Sequence, residues 1–177
     1  ADLLYSNAAG ERSETLDFHL QKGTIAIKAK LGQLHEATIS GSALDSDAKS
    51  FDTAHKTVLD SISALKSAYF KAEEILSQDS FRMDSPARVT INEIDVDLNK
   101  WSAQLSKEQA DYVAKNPNNA LSLFKLQRLL KDTGNQQLVA GLYEKLSPAL
   151  KNTPAGQDLD DELANLENLK LGDLAPE

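Results

Sequence analysis

The sequence predicts a mainly α chain of the α+β kind: a short three-stranded β piece, then a long antiparallel helical hairpin, then a small helical bundle. Three observations lead there. Apolar residues alternate with polar ones only near the start, they recur every three or four residues from Leu44 onward, and helix-breaking clusters of Asn, Gly and Pro punctuate the last third.

The β piece comes first. Residues 1–14 are polar and small with Gly10 interrupting, and read as a loosely held lead-in. Leu16, Phe18 and Leu20 then face one side with Asp17 and His19 opposite. Gln21-Lys22-Gly23 makes a turn, and Ile25, Ile27 and Ala29 alternate against Lys28 and Lys30. This predicts a β-hairpin, with Ala37-Thr38-Ile39 as a third short strand ending at Gly41. Three short strands need a covering helix or further strands to persist.

Ser42 or Asp45 can cap the next element. Leu44, Ala48, Phe51, His55, Val58, Ile62, Leu65, Tyr69, Ala72 and Leu76 step by four and three, a heptad seam about 50 Å long at ~1.5 Å per residue. Ser77 to Thr90, with Pro86, Arg82 and Arg88, reads as a loop. Ile91, Ile94, Leu98, Trp101, Leu105, Glu108 and Tyr112 repeat the spacing. Two such stripes bury best against each other as an antiparallel hairpin; a His and a Glu on the seams argue against a parallel dimeric coiled coil.

Asn116-Pro117-Asn118-Asn119 ends that helix, and Asn119 can cap the following one. Leu123, Leu126, Leu129 and Leu130 form its apolar face and Gly134 closes it. A further helix carries Leu138, Val139, Leu142, Tyr143 and Leu146. Ser147-Pro148 starts a single turn, and Pro154 to Leu169 form a last helix through Leu159, Leu163 and Leu166. Its polar face is acidic near the N-terminus, with Asp158, Asp160, Asp161 and Glu162, where the helix dipole favours negative charge.

The totals narrow the function classes. A net charge of −8 and a pI near 4.9 repel phosphate backbones and anionic membrane surfaces, so neither nucleic acid nor direct membrane insertion is expected. No apolar run approaches the ~20 residues that span a bilayer. Ala1 to Asn7 hold no initiator Met and no basic or long apolar stretch, which reads as a chain clipped or processed from a longer one. With Cys at 0, disulfides, thiolate metal sites and thiol chemistry are excluded within these residues.

Motifs for chemistry fare poorly. Asp95, Asp97 and Asn99 match the first, third and fifth positions of a calcium loop, but Lys100 stands where Gly makes the sharp turn and Ser106 where a bidentate Glu belongs. His19, His35 and His55 lack the spacing of a zinc pair, and His55 on the seam is expected to be partly buried against a neighbour. No nucleophile elbow, Walker loop or dinucleotide fingerprint occurs. Asp45 with Asp47 and Glu73 with Glu74 read as solvated helix faces, and Trp101 with Tyr112 as core. A tetratricopeptide-like repeat over 117–152 fails at its small positions, where Gln127, Val139 and Leu146 stand. The expectation is no catalytic residue, no metal and no cofactor.

One resemblance is more specific. Leu171-Gly172-Asp173-Leu174-Ala175-Pro176-Glu177 resembles the Gly-x-x-Ala-Pro-acid opening of thioredoxin-like redoxin domains of the TlpA and AhpC/TSA kind. Asn116 to Leu123 resembles an Asn-Pro-x-Ser helix start in the N-terminal extensions of such proteins. Leu142 to Gly156 resembles their Leu-Tyr-x-x-Leu-Ser-Pro-x-Leu-Lys-x-Ser-Pro-x-Gly segment. Phe18 to Gly23 with Ile25 and Ile27, and Ala37 to Ser42, resemble the strand-rich module at their start.

The resemblance implies a parent thiol–disulfide oxidoreductase of the Gram-negative periplasm or cell envelope, lipid-anchored in some relatives, with a Cys-x-x-Cys domain absent from this sequence. Residues 1–43 would be a β-rich remnant of the first module, 44–115 the hairpin, 116–170 the bundle, and 171–177 the start of a linker. The implied role is a spacer and a recognition surface for a substrate protein, a partner or a second copy. The alternative is a free-standing assembly module unrelated to redox chemistry.

Overall fold

A computed structural model gives the architecture of residues 2–6, 13–18, 23–30, 33–78, 86–132 and 134–171. Among the described residues four strands precede seven helices: β1 (Asp2–Ser6), β2 (Ser13–Asp17), β3 (Ala26–Lys30), β4 (Gln33–Ser40), α1 (Ala43–Ala54), α2 (Lys56–Gln78), α3 (Pro86–Lys115), α4 (Ala120–Leu130), α5 (Gln136–Tyr143), α6 (Pro148–Lys151) and α7 (Pro154–Leu171). The chain is mainly α with a small β piece, and it divides into two compact units, Ala1–Ala54 and His55–Glu177.

In the first unit the strands pair differently from the expected hairpin. β2 pairs antiparallel with β1, Leu3 opposite Leu16, so the expected lead-in supplies a strand of its own. β3 pairs antiparallel with β4, Ile27 opposite Ile39, with a register shift between Lys28 and Lys30. β2 lies beside β4 rather than bonding to β3. A period of two marks a strand but carries no information about its partner, and Leu3-Leu4-Tyr5 is too short an apolar run to show alternation. The expected turn at Gln21-Lys22 and His19 lie outside the described residues.

Gly41 ends β4 with φ +82°, and a Cβ there would collide with the Thr24 carbonyl, so the chain needs glycine at this bend. Ser42 then caps α1: its Oγ accepts from the Asp45 N–H at 3.1 Å. Leu34, Leu44 and Phe51 are buried apolar side chains of this unit.

The single helix expected from Leu44 to Leu76 is two, with His55 in a turn between α1 and α2. Three–four spacing is blind to one non-helical residue, so the seam reads continuously across the break. In the second unit α2 and α3 form the hairpin. They run antiparallel: His55 faces Glu108, and the Asp95 charge acts on Tyr69. α3 starts earlier than the spacing suggests, with the expected loop residues 86–90 helical and Pro86 in its first turn, where a missing N–H costs nothing. Val58, Ala72, Ile94 and Leu105 are buried along the hairpin.

The best-packed region is the bundle. Val113, Leu126, Leu129, Val139 and Leu159 join helices α3, α4, α5 and α7 in one core, each with an exposure of 0–1%. Leu163 and Leu166 pack on its edge. Leu138 departs from expectation at 44% exposed, because it sits about 100° round the helix from Val139 and off the stripe.

Caps hold the bundle's ends. Asn119 Oδ1 accepts from the Leu121 N–H at 2.8 Å, and Thr153 Oγ1 accepts from the Gly156 N–H at 3.1 Å. The buried Ser122 hydroxyl donates to the Asn116 carbonyl at 2.6 Å, and Ser147 N–H donates to the Pro117 carbonyl at 3.0 Å.

Candidate functional site

The residues weighed as chemistry do not converge. Asp95, Asp97 and Asn99 lie exposed on the uninterrupted helix α3, which lacks the loop that would wrap a cation. Glu73 and Glu74 are exposed on α2. Trp101 and Tyr112 share the half-buried stripe of α3, with the Lys100 ammonium 6.0 Å from the Trp101 ring centre. His35 is on β4. His55 is partly exposed, its Nε2 3.9 Å from Glu108 Oε2, and Glu108 Oε1 accepts from Gln104 at 2.8 Å. Among the described residues no three His, Asp or Glu side chains cluster as a metal site would need, and no helix is long and apolar enough to cross a membrane.

The structure instead opens a groove between α5 and α7, which spacing alone did not reveal. It is built around Tyr143, at the end of α5. Burial of the ring on the bundle core leaves the phenol edge at the groove, where it donates to the Gly156 carbonyl at 3.1 Å. Toward Gly141 the groove has a volume of about 470 Å³ and an apolar shelf of Ala140, Leu163, Ala164 and Leu166. Toward α6 it becomes polar, with Lys151, Asn152, Gln157 and Asp161. Glu144 and Asp160 line both halves.

Charge is set unevenly across it. Lys151 Nζ sits 4.9 Å from the Tyr143 ring centre and donates to the Glu144 carbonyl at 3.1 Å, with the Glu144 carboxylate at 3.3 Å. That is a cation–π contact reinforced by an ion pair. Burial pushes the Tyr143 phenol above its ordinary value, and the Asp160 and Glu144 charges push it further, so the hydroxyl stays a neutral donor. Gly141 keeps the apolar half open: a Cβ built there meets nothing within 4 Å.

The chemistry on offer is recognition: carboxylate acceptors beside an aromatic face, continued by an aliphatic shelf. Two signals of it stand in the sequence, a glycine inside a helix-forming stretch and carboxylates at 160 and 161 just ahead of Leu163. Neither shows that α5 and α7 meet. Comparison with protein-family models, with curated proteins and with solved structures finds no match for this chain.

Proposed function

We propose that this chain is a non-catalytic recognition region of an envelope thiol–disulfide oxidoreductase, acting as a spacer and as a surface for a substrate or partner protein. One observation carries the reading beyond the resemblance itself. The two resembling segments, Asn116–Leu123 and Leu142–Gly156, meet in one packed body: the Ser147 N–H donates to the Pro117 carbonyl, and Leu123 shares one core with Leu142, Tyr143 and Leu146. A sequence likeness whose halves pack together behaves as one structural unit, and that unit presents the groove. A helical layer added to a redox domain enlarges the surface through which partners are selected.

The test compares disulfide exchange by the parent protein with and without residues 1–170, across several substrate proteins. A changed order of preference supports the reading, and identical rates toward every substrate count against it. The reading frame past Glu177 gives a second check, since a strand followed by Trp-Cys-x-x-Cys is required.

Exposed apolar side chains on the hairpin favour a second reading, a free-standing assembly module. Phe70 and Val96 are 66% and 69% exposed, with Ile75 and Val89 close behind. A tight dimer of the chain in sedimentation at micromolar concentration would support it.

A further inference from the structure

The groove between α5 and α7 already holds one cation of the chain's own. The Lys151 ammonium rests on the Tyr143 ring with Glu144 as its counter-ion. Facing it across the polar half stand Asp160, which also interacts with the Tyr143 phenol, and Asp161. Three carboxylates therefore stand against one ammonium. The apolar half begins directly beside them, and Leu163 and Leu166 follow Asp160 along α7 at rises of about 4.5 and 9 Å. Two side chains on one face of an extended segment are ~6.6 Å apart, within that span.

We propose that this groove docks an extended segment of a partner protein carrying a lysine or arginine two residues from an aliphatic side chain. The cation sits between the Asp160 and Glu144 carboxylates, while Lys151 keeps its place over the face of the Tyr143 ring. The aliphatic side chain lies on Leu163 and Leu166 over the space that Gly141 leaves open. Neither half suffices: carboxylates exposed to water hold a cation weakly, and the shelf alone is small. The inference rests on the recognition role proposed above and specifies the chemistry of its partner.

Fluorescence anisotropy of the full chain with a dye-labelled peptide of repeated Lys-Gly-Leu tests it. Asp160→Asn should weaken binding about tenfold, while Asp97→Asn, which removes the same charge from the exposed face of α3, should leave it unchanged. Gly141→Leu should abolish binding with an intact thermal melt. Replacing the peptide's leucines with glycine should weaken it about tenfold, and replacing its lysines with glutamate should abolish it. Equal losses in Asp160→Asn and Asp97→Asn, undiminished binding by Gly141→Leu, or no binding of the basic peptide would each overturn the proposal. The recognition role is judged separately by the deletion of residues 1–170. If deletion alters substrate choice while the peptide fails to bind, the partner chemistry falls and the role stands.

Discussion

The phenolic hydroxyl of Tyr143 donates to the carbonyl of Gly156 at 3.1 Å, across the start of α7. This bond joins the end of α5 to the capped first turn of α7, where Thr153 Oγ1 holds the Gly156 N–H. Both polar groups of Gly156 thereby bond to side chains, and the Tyr143 bond ties the end of α5 to the start of α7.

Tyr143→Phe removes the bond and keeps the ring. The Gly156 carbonyl lies in α7 and has the helix ladder as an alternative, so the expected loss is about 1 kcal/mol rather than the full penalty of a stranded acceptor. Urea unfolding of the variant checks it, with an unchanged m-value as the sign that packing is preserved.

The same residue gives a pH dependence. Its phenol releases its proton above the ordinary 10.0, through burial first and then Asp160 and Glu144. In the unfolded chain the proton leaves at the ordinary value, so above that pH the unfolded state binds fewer protons than the folded one. The stability contribution is complete below pH 10.0 and is lost as pH rises through the folded value. Thermal melts between neutral pH and strong alkali should show this fall, and Tyr143→Phe should make it shallower.

Two glycines separate packing from function. A Cβ on Gly156 would collide with the Leu150 carbonyl and come within 2.7 Å of the Lys151 carbonyl, backbone atoms that cannot swing away. Gly156→Ala should cost roughly 1–3 kcal/mol. Gly141, open on the groove side within α5, should gain about 0.5–1 kcal/mol on change to Ala, because alanine restrains the unfolded chain more than glycine does. Parallel denaturant melts of the two variants should diverge in sign.

Much of the helical part was legible in the residues, and the reason is local. Asn119 announces a cap and forms one. Leu126 and Leu129 recur at helical spacing and are completely buried, since spacing alone decides which face turns inward. The β pairing was not legible, because the partner of Leu16 is Leu3 and no feature of either strand names the other. The groove was hidden for the same reason: Tyr143 and Asp160 belong to different helices, and their meeting depends on how α5 and α7 pack. Tyr143 was legible as core, which it is, while the edge that carries its hydroxyl was not.

Glu108 offers the last prediction, because it occupies an apolar position of the α3 stripe. Its Oε2 has almost no contact with water and accepts no hydrogen bond from the described residues, and His55 Nε2 stands 3.9 Å away, beyond a direct bond. A carboxylate oxygen held this way loses hydration without a matching partner, a net cost to folding. Gln104, on the exposed side, donates to Oε1. Leucine at 108 would place a branched alkyl group on the seam toward α2 and remove the stranded oxygen, while the exposed Gln104 amide turns to water. Glu108→Leu should therefore raise stability by about 1 kcal/mol in urea unfolding at neutral pH, whereas Glu108→Ala, which leaves the seam underfilled, should not. Destabilisation by leucine would mean that the contact with His55 is worth more than its 3.9 Å separation implies.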